Sequence, residues 1–147
     1  MSAKKILLVD DDKDLLYGMK IWLRANGYSV FFAGDGASAV AMAKVHRPDL
    51  IVLDIGLPGG DGYMTMARLR TLVPLAHIPI IVMTARERLT HEKRAREAGA
   101  EAFFQKPFDN RELLAAIQKA LTLKTDLPAQ EGEAPKETPL EAPGKKS

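Results

Sequence analysis

The 147 residues suit one domain, and an apolar share of 46% is enough to build a core. A formal net charge of +2 does not force nucleic-acid binding on the chain. The absence of cysteine excludes disulfides, zinc-thiolate sites and thiol catalysis, and it suits a reducing compartment. The start, MSAKK, leads straight into an apolar strand. No signal-peptide core and no run of membrane-spanning length follows, so a soluble cytoplasmic protein is expected, with no membrane partner.

Short apolar runs alternate with longer helical patterns. KILLV (5–9), bounded by acids, reads as a buried strand. A helix follows over 13–26, with Leu15, Met19, Trp22 and Leu23 inward and Asn26-Gly27 closing it. Leu16, Tyr17 and Ile21 are left on its flank, a candidate docking surface. YSVFFA (28–33) is a second strand. Asp35 can cap a small-residue helix over 36–46, which ends before Pro48. LIVLD (50–54) is continuously apolar up to its acid, as buried parallel strands are.

The Pro/Gly loop IGLPGGDG (55–62) precedes a helix over 63–72. IPIIVMT (78–84) is a fourth strand, and 86–98 a highly charged helix ending at Gly99, expected to be solvated and laced by i,i+4 pairs. AFFQK (102–106) is a fifth strand. Asp109 can cap a last helix over 110–122. Five strands alternating with five helices predict an α/β fold, a parallel sheet covered on both faces. The domain is expected over 1–123. Residues 124–147, rich in Pro, Glu and Lys, bury too little to offset ordering entropy and are expected to be disordered.

In such a sheet, ligands bind beyond the carboxyl ends of the strands. Those ends carry Asp10 and Asp11, Asp54, Thr84 and Lys106. Each alone has a bland reading: a turn former, a helix cap or a surface lysine. Together they make a chemical set. Three carboxylates suit a hard divalent cation such as Mg²⁺, and without it the crowded acids are expected to hold raised pKa values. Asp54 can also act as a nucleophile toward phosphorus. Lys106 and Thr84 would then serve the phosphoryl oxygens. Asp12 is better suited to capping the next helix, worth about 0.5–2 kcal/mol.

ILLVDDD, LIVLDIGLPGGDG, PIIVMTA and FFQKPF resemble the motifs of response-regulator receiver domains of two-component signalling, of the single-domain, CheY-like kind. The resemblance runs from about Lys4 to Leu123. It implies a flavodoxin-like, doubly wound, five-stranded sheet of order 2-1-3-4-5. It implies a phosphoacceptor rather than an enzyme, with Asp54 taking phosphate from a sensor histidine kinase or a histidine phosphotransfer protein. Asp11 resembles the direct Mg²⁺ ligand, Asp10 a ligand acting through water, and the Gly56 carbonyl the backbone ligand. Thr84 and Lys106 match the hydroxyl and lysine, and Lys106-Pro107 the usually cis peptide. Phe103 stands at the switch position where Tyr is common; without a hydroxyl, its coupling to Thr84 would rest on packing. The helix over 86–98, the fifth strand and the last helix would form the face for phosphorylation-dependent homodimerisation or for a downstream protein. A DNA-binding regulator would need a helix-turn-helix after 123, and the sequence holds none, so no direct nucleic-acid partner is expected.

A haloacid-dehalogenase-type phosphatase also has Asp-x-Asp after its first strand, which would make Asp10 the nucleophile. It expects a further acidic motif after the lysine, where this chain has PFDNRELL. A flavin module is rejected because three acids would repel the flavin phosphate. Nothing supports a degenerate, binding-only receiver.

Overall fold

Leu- and Ile-rich β1 (Lys5–Val9) pairs in parallel with β2 (Ser29–Ala33) on one side and β3 (Leu50–Leu53) on the other. Then come β4 (Ile80–Thr84) and β5 (Ala100–Gln105), giving one parallel sheet of order β2-β1-β3-β4-β5. The helices are α1 (Lys13–Ala25), α2 (Gly36–His46), α3 (Gly62–Thr71), α4 (Arg88–Glu97) and α5 (Asn110–Asp126). The computed structural model describes residues 3–57 and 62–126, with side chains as far as 123. The middle of the Pro/Gly loop and the tail from 127 lie outside the described residues.

The strand pleat sends successive side chains to opposite faces, and each face is buried. Leu7, Val9, Ile51, Leu53 and Val82 pack with Val40, Met66 and Ala95 of α2, α3 and α4. Ile6, Leu8, Val52, Ile81 and Met83 pack with α1 and α5 through Leu16, Met19, Leu23, Leu113 and Ile117. Continuous apolar strands are what a sheet covered on both sides requires.

Capping follows the sequence reading. The Asp12 carboxylate accepts from Leu15 N at 3.1 Å and the Asp35 carboxylate from Ser38 N at 2.7 Å. The Asp109 carboxylate accepts from Arg111 N at 2.7 Å. Gly27 and Gly99 turn the chain after α1 and α4 at φ of 93° and 109°, a region that favours glycine.

Four details differ from the expectations. The inward stripe of α1 is Leu16, Met19 and Leu23, an i, i+3, i+7 series; Leu15 and Trp22 are only half-buried. Leu16 is therefore core, and only Tyr17 and Ile21 remain on the exposed flank. A 3-10 turn at Val73–Leu75, carrying Pro74, links α3 to β4. β5 starts two residues early, because Ala100 pairs with Ile80 while Ala102 pairs with Ile81, leaving Glu101 as an extra residue in an irregular ladder. Finally, α5 runs to Asp126, past the expected end at 122.

Candidate functional site

The sheet's hydrogen-bond ladder continues one step past the strands and fixes the site backbone. Asp10 N donates to Ala33 O at 3.1 Å, Asp54 N to Val9 O at 2.9 Å, and Lys106 N to Thr84 O at 2.7 Å. Residues from β1, β3, β4 and β5 thus reach one edge. The Lys106–Pro107 peptide is cis, as the resemblance implied. Asp10, Asp54 and Thr84 are all buried; Asp11 is exposed.

Asp10, Asp11 and Asp54 each present a carboxylate oxygen, and these atoms lie within 4.8 Å of one another. Lys106 stands between two of them. Its Nζ donates to Asp10 Oδ2 at 2.5 Å and lies 3.6 Å from Asp54 Oδ2. The other oxygens are held by backbone: Asp12 N donates to Asp10 Oδ1 at 2.9 Å, and Gly56 N to Asp54 Oδ1 at 2.8 Å.

Burial raises the Asp10 carboxyl above its ordinary 3.8, against the lowering effects of Lys106 and the Asp12 N–H; the Asp54 charge contributes least. Removal from water, more than mutual repulsion, makes the acid costly. Burial alone would lower the Lys106 ammonium. The hydrogen bond and charge of Asp10, helped by Asp54, outweigh it and hold Lys106 above its ordinary 10.5. The lysine therefore stays cationic beside both acids.

The donor set fits Mg²⁺. It is all oxygen, it clusters tightly, and exposed Asp11 leaves room for the waters this ion retains. A cleft of about 430 Å³ opens beside Asp10 and Asp11, walled by Leu16, Tyr17 and Phe32. A larger one, about 580 Å³, runs along α4 past Leu89 and Glu92 and holds none of the site residues.

Thr84 sits at the end of β4, and its Oγ1 accepts from Arg86 N at 3.2 Å, leaving its own hydrogen free to donate. Gly56 is exposed beside Asp54. Phe103 is not at the site edge. It is 3% exposed, packed in the core, with the Arg88 guanidinium 5.4 Å from its ring centroid and donating to its carbonyl at 3.1 Å.

Two positions were missed by sequence reasoning. A side chain at Gly62 would run into Ile55 Cα and the Asp54 carbonyl, so glycine is what lets α3 start against the Asp54 backbone. Arg86 read as one charge among many in the helix 86–98, yet its side chain lies against Gly56. The signal was its place two residues after Thr84.

Among the described residues, no helix is long and apolar enough to cross a membrane. The chain is similar to Transcriptional regulatory protein PrrA of Mycobacterium tuberculosis, 34% identical over 149 residues, covering 100% of this chain and 63% of the relative. The chain thus spans under two thirds of the length of the curated relatives it matches. A receiver domain protein (CheY-like) from Methanospirillum hungatei is 31% identical, with a TM-score of 0.78 over 84% of this chain and 98% of that one. The receiver domain of a sensor histidine kinase from Pseudomonas aeruginosa, solved with a magnesium ion coordinated in its active-site cleft, is 32% identical, with a TM-score of 0.75 over 82% of this chain and 99% of that one. The family model for the response regulator receiver domain matches residues 6–118. With that match, the sheet order and the acids at its edge in agreement, the chain belongs to the response regulator receiver family.

Proposed function

We propose that Asp54 accepts a phosphoryl group from a phosphohistidine on a sensor kinase or phosphotransfer protein, and that the chain then changes its protein contacts. The observation that carries this reading is the placement of Lys106 between Asp10 and Asp54, with Asp11 beside them. An Asp54 oxygen attacks phosphorus as the P–N bond breaks. The bonding pair stays on the imidazole nitrogen, which takes up a proton, and the phosphoryl group ends on Asp54. Asp10, Asp11, Asp54 and the Gly56 carbonyl would hold Mg²⁺, which when bound supplies positive charge against the phosphoryl oxygens. Lys106 is near enough to Asp54 to turn from Asp10 toward a phosphoryl oxygen. Thr84 has a hydroxyl hydrogen available for another.

What disfavours the phosphatase reading is the tighter hold on Asp10: Lys106 Nζ donates directly to its Oδ2, while the same ammonium lies 3.6 Å from Asp54 Oδ2. Thr84 and buried Phe103 carry the change to α4 and β5, with the Arg88–Phe103 contact as the packing link. The output is protein contact through α4, β5 and α5, by a homodimer or an effector. We place this activity in the cytoplasm, over a receiver followed by a Pro/Glu/Lys-rich tail. Transcriptional regulation, the role in the name of the PrrA relatives, is one process such a switch can feed.

Incubation with acetyl phosphate and Mg²⁺, followed by intact mass measurement, tests the reading. The wild type should gain one phosphoryl group, much less in EDTA, and Asp54→Asn none. Labelling that persists in Asp54→Asn, or that maps to Asp10, overturns it.

A further inference from the structure

α2 and α3 cover the same face of the sheet, and both run from the site edge to the opposite edge, where the strands begin. The segments that build this face, 36–48 and 62–79, contain no Asp or Glu, yet they hold Lys44, His46, Arg47, Arg68, Arg70 and His77. Two of these are occupied. His46 stacks on Phe31 with 4.1 Å between ring centroids, and Arg70 donates to the carbonyls of Ala76, Ile78 and Gly99. Lys44, Arg47 and Arg68 are exposed, and among the described residues none of the three pairs with a carboxylate. The neighbouring acid, Asp49, is half-buried and accepts from Lys5 N at 2.8 Å.

A cleft of about 290 Å³ opens between the end of α2 and the turn after α3, lined by Lys44, Arg47, Leu72, Pro74 and Leu75. Leu75 is buried, whereas Val73, which precedes Pro74, is 85% exposed. An apolar slot with a cationic rim fits an acidic segment that carries an apolar anchor.

The chain itself contains such a segment. α5 also runs away from the site edge, so it ends at Asp126 on the edge that carries the cleft. Beyond it, Glu137-Thr138-Pro139-Leu140-Glu141 places an apolar pair between two glutamates, while Glu131 and Glu133 have only Gly132 between them. Residues 127–136, drawn out at about 3.3 Å each, reach about 30 Å, enough to pass from one helix layer round the sheet edge to the other. An extended five-residue segment sets its end glutamates about 12 Å apart, a span that two long cationic side chains at i and i+3 can match. A tether of this length keeps the segment at a local concentration on the order of millimolar, so a modest affinity suffices.

We propose that residues 137–141 dock in this cleft, with Leu140 in the slot and Glu137 and Glu141 on Lys44 and Arg47. Arg68 adds to the attracting field. The occupant is the chain's own tail, held at the end of the domain remote from Asp54.

The test uses the full chain, whose lack of cysteine allows a single nitroxide at Ala142→Cys, read by the intensities of backbone amides in NMR spectra. Amides over 44–47 and 72–75 should lose intensity, those around Asp10 and Thr84 should keep theirs, and dilution should change neither. Glu137→Lys with Glu141→Lys, which leaves the folded domain untouched, should abolish the selective loss. Lys44→Glu with Arg47→Glu should do the same, and the four changes together should restore it. High salt should weaken the loss in the wild type. Broadening spread evenly over the surface, or unchanged by reversal of the two glutamates, overturns the proposal. Selective loss in an isotope-labelled chain without nitroxide, mixed with a nitroxide-bearing chain, would assign the cleft to a second copy and overturn the own-tail occupant.

Discussion

α1 and α4 each follow a strand that delivers site residues, Asp10 and Asp11 in one case and Thr84 in the other, yet they are held in different ways. α1 is capped by Asp12 and buries Leu16, Met19 and Leu23 against the sheet. α4 has no side-chain cap bond and buries only Ala95, while Leu89 is 95% exposed. What fastens α4 is polar: Arg88 N to Gln105 Oε1 at 2.9 Å, Arg96 to Glu101 O at 3.2 Å, and the Tyr63 hydroxyl to His91 Nδ1 at 2.9 Å. Segments with few buried apolar contacts open at lower free energy than the core. The carboxylate half of the site thus stands on a packed base, and the hydroxyl half stands beside an element that can shift at small cost.

The largest expected contrast is in stability. Leu23 is fully buried, so Leu23→Ala should cost about 2–5 kcal/mol in urea unfolding. Leu89→Ala on α4 should stay within about 0.5 kcal/mol. Similar losses for the two would sink the comparison.

Asp10 marks what the packed half tolerates for chemistry. Its folded pKa is above 3.8, so at neutral pH its charge opposes folding. Without divalent cation, Asp10→Asn should raise the thermal midpoint by a few degrees. That advantage should shrink as pH falls from the raised folded value toward 3.8, because the wild-type acid then becomes neutral as well. Mg²⁺ should stabilise the wild type more than the variant, since it binds only the folded state. A variant less stable than wild type at neutral pH would mean that the Lys106 contact outweighs the burial cost.

The elements and the acid, hydroxyl and lysine positions were legible because each leaves a local trace: an apolar run closed by a polar residue, or a capping aspartate. The inward phase of α1 was not. Leu15, Leu16, Trp22 and Leu23 offer two overlapping stripes, and only the sheet decides that Leu16 is core and Leu15 half-buried. Nor were the pairing of Lys106 with Asp10 or the approach of Arg86 to Gly56, which are contacts across the fold with no local signature. The irregular ladder at Glu101 depends on cross-strand register and was equally hidden.

Tyr63 probes the polar fastening directly. Its hydroxyl bonds His91, and the Arg94 guanidinium lies 3.7 Å from its ring centroid. Tyr63→Phe keeps the ring and removes the hydroxyl. It should cost about 0.5–1.5 kcal/mol and speed amide exchange in α4 more than in α1. Equal acceleration in both helices would mean that α4 is not a separate unit.

The smallest effect is expected at Glu92, held between Arg88 at 3.0 Å and Arg96 at 3.1 Å. Hydrogen bonds from Arg88, then Arg96, lower its carboxyl below the ordinary 4.5. A depressed folded pKa gives a contribution that is fully present above 4.5 and is lost as pH falls through the folded value. Glu92→Gln should therefore cost about 0.5 kcal/mol or less at neutral pH and low salt. The cost should vanish in acid and weaken with salt, because both partners are solvent-screened. Amide exchange read helix by helix should place the loss in α4 and leave α1 unchanged. A loss that persisted in acid would trace α4's attachment to the packing of the Glu92 side chain, and the contrast between a packed helix and a charge-fastened one would fall.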